Sequence, residues 1–156
     1  MTSEFTVAGM DHIGITVRDM DASVRFYRDL LGLRLVCDVE VPHSPGKAPS
    51  IYGSSHDRRR FALFETGSGP KLALNGHPGD KLPGEPILAD GVGINHVSLV
   101  VSDLAALTSR LTEAGVPSPG PGWFVDPDGT LVQFEEPGYS EAALPSLVAR
   151  ADRRHD

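Results

Sequence analysis

Two segments of this chain, 84 residues apart, follow one pattern: His12–Asp19 and His96–Asp103. Each begins with a histidine, continues with alternating apolar residues and ends with an aspartate. In a β-strand, alternation of period two places the apolar side chains on one face and the histidine on the other. Because a fixed repeat signals an architecture built from copies of one unit, the chain is predicted to contain two βαβββ units with His12 and His96 at equivalent positions.

A helix is predicted after each of these strands. Asp19 or Asp21 can cap the first helix, because a carboxylate accepts hydrogen bonds from the free N–H groups of the first turn. Asp103 has the same role in the second copy. Apolar residues then recur at helical spacing, and Gly32 and Gly115 supply the stops.

The predicted fold class is α+β, as one domain over residues 1–156. The first βαβββ module spans 8–78, a Pro- and Gly-rich linker spans 79–92, the second module spans 93–138 and a C-terminal tail spans 139–156. The second module is shortened, because 117–122 is nearly all Pro, Gly and Ser. The further predicted elements are strands at Leu33–Val41, Arg59–Glu65, Lys71–Asn75, Trp123–Val125 and Thr130–Glu135, and a tail helix at Glu141–Arg150 that Pro145 breaks or starts.

Composition narrows the classes of function. The 156 residues have 40% hydrophobic residues, a net charge of −7 and a pI of about 5.3. Nucleic-acid binders usually carry a basic patch, and the basic cluster here, Arg58-Arg59-Arg60, is read as a solvated strand edge. The single cysteine, Cys37, excludes an intrachain disulfide and fits a reducing compartment. The expectation is a cytoplasmic protein with no nucleic-acid or membrane partner, since no apolar run approaches a membrane span.

The strings DHIGITVRDMDASVRFYRDLLGLRLV, INHVSLVVSDLAALTSRLTEAGV and FVDPDGTLVQFEEP resemble the vicinal oxygen chelate superfamily, over about residues 8–138. That group includes glyoxalase I, extradiol dioxygenases, methylmalonyl-CoA epimerase, fosfomycin-resistance transferases and bleomycin-binding proteins. The resemblance implies that the modules form paired half-barrels around one cavity that holds one divalent metal ion (Zn, Ni, Mn or Fe). It also suggests a homodimer. Because the superfamily hosts unrelated reactions, the likeness is specific for fold more than for function.

Carried over residue by residue, the resemblance places metal ligands at His12 and His96 on the opening strands and at Gln133 on the last strand. The matching position of the first copy falls on Ala73, which has no donor atom. Gln133 replaces the glutamate of most metal-binding members, which weakens the site and disfavours extradiol ring cleavage. His56 is a candidate fourth ligand, with His77 as another. Glu135, on the same strand face as Gln133, is the candidate for proton transfer and the nearest replacement carboxylate.

Three functions compete. The favoured one is a metal-dependent lyase or isomerase, or less readily a dioxygenase, in which the metal chelates vicinal oxygens of a small substrate and Glu135 moves the proton. The alternative is a metal-free protein that binds and sequesters a small molecule such as an antibiotic; Ala73, Gln133 and the acidic charge favour it. Candidate ligand contacts are Tyr52, Trp123 and Phe124. A structural subunit without a ligand is the weakest, because of the paired histidines.

Overall fold

The computed structural model describes residues 6–42, 58–79, 82, 84–87 and 90–152. The chain divides into two compact units, Met1–Glu85 and Pro86–Asp156. The boundary falls inside the predicted linker, and each unit contains one copy of the repeat.

The first unit contains the full βαβββ order. The elements are β1 (His12–Thr16), α1 (Met20–Arg25), a π-helical turn (Phe26–Leu30), β2 (Arg34–Pro42), β3 (Arg58–Glu65) and β4 (Lys71–Gly76). Helix α1 leads directly into the π-helical turn. The four-stranded sheet has the order β1-β4-β3-β2, in which β1 runs parallel to β4 and the other pairs are antiparallel.

The helix of this unit is placed by the features that the sequence predicts. The Asp19 side chain accepts a hydrogen bond of 2.9 Å from the Ala22 N–H and so caps α1. Gly32, at a φ of +75°, ends the helical segment in the left-handed conformation that glycine adopts freely. Tyr27 and Phe64 are fully buried, with ring centroids 6.1 Å apart, so the helical segment covers the apolar face of the sheet.

Arg60, on β3, connects this strand to β2 and to α1 through hydrogen-bonded ion pairs. Its guanidinium donates to Asp38 on β2 at 2.8 and 2.7 Å and to Asp21 on α1 at 2.6 Å. These contacts raise the pKa of Arg60 and lower that of Asp38, chiefly through the hydrogen bonds. Part of the basic cluster is therefore neutralised by acidic neighbours. The predicted solvated strand edge is wrong, because β3 lies between β4 and β2 in the sheet and the Arg60 side chain is only 24% exposed.

The second unit repeats the pattern with one strand fewer. The elements are β5 (His96–Val100), α2 (Leu104–Glu113), β6 (Trp123–Val125), β7 (Leu131–Glu135) and α3 (Tyr139–Asp152). The three-stranded sheet has the order β5-β7-β6, with β5 parallel to β7 and β6 antiparallel to β7. The segment 117–122 contributes only an isolated bridge between Gly120 and Trp123, which agrees with the predicted shortening.

The predicted helix signals of the second unit also hold. Asp103 caps α2 by accepting from the Ala106 N–H at 2.8 Å, and Gly115 follows the helix at a φ of +73°. The buried Asp126 carboxylate accepts from the Asp128 and Thr130 N–H groups and makes the turn between β6 and β7.

The predicted first helix is present, and its second half is a wider, π-helical turn at Phe26–Leu30 in which both Phe26 and Tyr27 are buried. One prediction for the second unit is wrong. The tail helix is neither broken nor started at Pro145: α3 begins at Tyr139 and runs through that residue to Asp152. Pro145 is exposed, so water can replace the one backbone hydrogen bond that proline removes.

The α+β class is confirmed, and each of the two sheets is open, with an edge strand on either side. Within the described residues, no helix is long and apolar enough to cross a membrane.

Candidate functional site

The two histidines lie on the sheet faces that the repeat predicts. On β1, His12, Gly14 and Thr16 are exposed while Ile13 and Ile15 are half-buried. On β5, Val97 is 6% exposed, whereas His96 is half-buried and Ser98 is exposed. In each unit the apolar face of the opening strand is therefore the more covered one, and the histidine lies on the other.

The strand register places Gln133 and Ala73 at equivalent points of the two sheets. Gln133 pairs with Ser98, two residues after His96, and Ala73 pairs with Gly14, two residues after His12. Directly paired residues project from the same face of a sheet. Gln133 therefore shares the face of His96, while the face of His12 has a buried alanine at that point.

Both histidines make the same hydrogen bond to the residue that precedes them. His12 Nδ1 lies 2.7 Å from the Asp11 Oδ2, and His96 Nδ1 lies 2.7 Å from the Asn95 Oδ1. A carboxylate or amide oxygen only accepts, so Nδ1 must donate in each pair. In the neutral imidazole this leaves the Nε2 lone pair available to a metal ion or a proton.

The first of these pairs is the more exposed and the more charged. Asp11 is 81% exposed and His12 is 53% exposed. The hydrogen bond from His12 lowers the pKa of Asp11, and the nearby Lys71 ammonium lowers it further. Asp11 is therefore held as a carboxylate, the form that accepts from Nδ1.

The second unit has an open groove where β7 ends and β6 begins. Its volume is about 240 Å³, and Trp123, Tyr139, Leu104, Gln133, Glu135 and Glu136 are among the residues that line it. The ring of Trp123 also packs edge-on against His96, with centroids 5.0 Å apart. Trp123 therefore borders both the histidine and the groove.

Two carboxylates of the groove have only weak hydrogen bonds. Glu135 accepts from the Ser140 hydroxyl at 3.3 Å, and Glu136 accepts from the Leu104 N–H at the start of α2 at 3.4 Å. Glu135 is half-buried and Glu136 is exposed. In the described part of the chain neither carboxylate forms an ion pair, so both negative charges face the groove uncompensated.

The predicted site residues fall in different units. His96, Gln133 and Glu135 belong to the second unit, where Gln133 and Glu135 border the same groove, and His12 belongs to the first. His56 lies outside the described residues, as does Tyr52. Among the residues that the structure describes, no three His, Cys, Asp or Glu side chains form a group around one potential metal position. Their joint role therefore remains a prediction.

The predictions from sequence did not include Asp11 and Asn95, which orient the histidines. They also did not include Glu136 and Tyr139, which line the groove. The signal for the first was present: the 84-residue offset also aligns Asp11 with Asn95, both of which have a side-chain oxygen. Glu136 and Tyr139 follow β7 in the sequence, but only the tertiary structure places them in one groove with Leu104 at the start of α2.

A family model described as the Glyoxalase/Bleomycin resistance protein/Dioxygenase superfamily matches residues 9–134. The chain belongs to this superfamily, whose α+β architecture its units share.

The chain is also similar to named proteins, and these do not assign it one reaction. It is 30% identical over 97 residues to the uncharacterized protein YwbC of Bacillus subtilis, a match that covers 62% of this chain and just under two thirds (64%) of that protein. A glyoxalase family protein from Bacillus cereus has a TM-score of 0.72 at 20% identity, over 87% of this chain and 98% of the other. A variant of the fosfomycin resistance protein FosX from Listeria monocytogenes, complexed with Mn(II) and a dihydroxypropylphosphonic acid, has a TM-score of 0.58 at 18% identity, over 89% and 99%.

Proposed function

We propose that this chain is a divalent-metal-dependent enzyme that acts on a small oxygenated substrate by glyoxalase-like lyase or isomerase chemistry. His12 and His96 are the proposed imidazole ligands and Gln133 the proposed amide-oxygen ligand. The FosX variant in its Mn(II) complex is an example of a metal bound on this fold.

The observation that carries the proposal is the matched pair of hydrogen bonds at Asp11–His12 and Asn95–His96. Metal-binding histidines usually donate their second ring N–H to a carboxylate or carbonyl oxygen, which fixes the tautomer and the ring orientation. Both histidines of the repeat have this arrangement, whereas a surface histidine without a ligand has no need for such a hydrogen bond.

The donor set fits a borderline metal ion, since neutral imidazole nitrogens suit Zn, Ni or Fe and an amide oxygen suits Mn. When bound, such an ion supplies Lewis-acid stabilisation of negative charge on substrate oxygens. The chain's own part is to hold the substrate beside the sheet face and to move a proton. Glu135 is proposed for proton transfer, because it borders the groove next to Gln133 without an ion-pair partner in the described region. A set without an anionic ligand favours isomerase or lyase chemistry over oxygen activation.

Metal analysis of protein purified without a histidine tag tests the proposal. Near-stoichiometric metal is expected in the unmodified chain and in His43→Ala, a control that removes a histidine outside the proposed set. The His12→Ala/His96→Ala variant should lose it, with circular dichroism confirming that the variant is folded. Metal retained in the folded double variant, or no uptake of Zn, Ni, Mn or Fe by the unmodified chain, would rule the metal function out.

A second candidate is a metal-free protein that binds a small molecule. Ala73 favours it, because the position equivalent to Gln133 in the first unit is buried and has no donor. This candidate predicts ligand binding that persists in the His12→Ala/His96→Ala variant and in protein dialysed against a chelator. The homodimer and the cytoplasmic location remain predictions, and sedimentation equilibrium tests the first of them.

A further inference from the structure

The net negative charge of the chain is concentrated in one unit. Residues 86–156 contain ten acidic and four basic side chains, so this unit carries −6 of the net −7, and the first 85 residues carry −1. In the first unit, Asp11, Asp21, Asp38, Glu40 and Glu65 all have basic partners. The negative potential is therefore expected to be strongest over the second unit.

Within the second unit, the groove at the end of β7 combines this charge with aromatic surface. Trp123 and Tyr139 contribute rings, Leu104 contributes apolar surface, and Glu135 and Glu136 contribute carboxylates that lack a cation in the described region. Tyr139 is 56% exposed, so its ring is open to a ligand. Aromatic faces next to carboxylates attract an organic cation, because the rings stabilise the positive charge while contacting its methyl or methylene groups.

We propose that this groove binds a cationic nitrogen group, such as a substituted ammonium, of the small molecule on which the chain acts. The inference rests on the proposed function in that it names a feature of the substrate. The volume of about 240 Å³ is below the roughly 300–1,000 Å³ of pockets that bury a drug-sized ligand. The groove therefore suits one charged group of a ligand rather than an entire large molecule.

Choline and its uncharged carbon isostere, 3,3-dimethyl-1-butanol, are suitable probes, because they have nearly the same shape and differ in charge. The chain has one tryptophan, so its intrinsic fluorescence reports directly on Trp123. In the full chain dialysed against a chelator, choline should bind about tenfold more tightly than the alcohol. This preference should shrink at high ionic strength, since the carboxylates are solvent-accessible.

A pair of matched variants separates the groove from the general charge of the unit. Glu135→Gln/Glu136→Gln should abolish the preference for choline, since the amides keep an acceptor for Ser140 and Leu104 but lose the charge. Glu113→Gln/Glu141→Gln removes two charges from the same unit outside the groove lining and should keep most of the preference. Calorimetry gives the same affinities independently of fluorescence.

The outcomes distinguish this inference from the proposed metal function. Equal affinity for choline and the alcohol, or equal losses in the two double variants, would overturn the cation site even in a protein that binds metal. A charge-dependent preference in a chain that takes up no metal would support the groove and refute the metal function.

Discussion

The hydrogen bond between Asn95 and His96 offers the sharpest test of how the histidines are oriented. Asn95→Leu has nearly the same size and removes the oxygen that accepts from Nδ1 at 2.7 Å. A half-buried neutral hydrogen bond contributes about 0.5–1.5 kcal/mol, and loss of an outer hydrogen bond to a metal-binding histidine typically lowers affinity about 10–100-fold. We therefore expect zinc to bind Asn95→Leu about tenfold more weakly than the unmodified chain.

The first repeat provides a graded comparison at Asp11. Asp11→Asn keeps an acceptor oxygen and reproduces the pair found in the second repeat, so its zinc affinity should change little. Asp11→Leu removes the acceptor, but its effect should be smaller than that of Asn95→Leu, because Asp11 is 81% exposed and water can take its place.

Two measurements check these expectations. Calorimetric titration with zinc gives the affinities, and nitrogen-15 NMR of the metal-free chain shows which ring nitrogen of His96 carries the proton. An Asn95→Leu variant in which both the His96 tautomer and the zinc affinity are unchanged would refute the orienting role of Asn95. Zinc binding that is weakened as much by Asp11→Asn as by Asp11→Leu would also refute the role of the hydrogen bond, because the charge of Asp11 would then be responsible.

Two further predictions concern the first unit. Gly76→Ala would place a Cβ 2.3 Å from the Cγ of Met20, which is only 6% exposed. Urea unfolding should therefore show a free energy of unfolding lower by about 1–3 kcal/mol. Gly120→Ala, whose Cβ would have no atom within 4 Å, is the control, and equal stability of the two variants would contradict the close packing at Gly76. Arg60→Met should lower the free energy of unfolding at pH 7 by about 1 kcal/mol. Arg60 lowers the pKa of Asp38 in the folded chain, so the stabilisation is present above the pKa that Asp38 has in the unfolded chain and is lost as the pH falls through its pKa in the folded chain. The difference in unfolding free energy between the unmodified chain and Arg60→Met should therefore shrink below about pH 4. A difference that stays constant down to about pH 2.5 would show that the ion pair is not its source.

Features that depend on a few neighbouring residues could be predicted from the sequence. The capping aspartates Asp19 and Asp103 and the stops Gly32 and Gly115 act within one or two turns, so the pattern contains all the interacting groups. The strand faces follow from alternation alone. The wide turn at Phe26–Leu30 has no such local signal, because it depends on how Phe26 and Tyr27 fit the core.

The candidate site shows the same division between local and tertiary information. The repeat aligns His12 with His96, and the strand register then aligns Ala73 with Gln133, so the asymmetry of the donor positions is already present in the sequence. The groove is different, since Trp123 and Tyr139 meet only through tertiary packing. Because Trp123 also contacts His96, a ligand held in the groove would lie beside the histidine face of the second sheet. Substrate selection and chemistry can therefore be tested separately, by Glu136 substitutions for the first and Asn95 substitutions for the second.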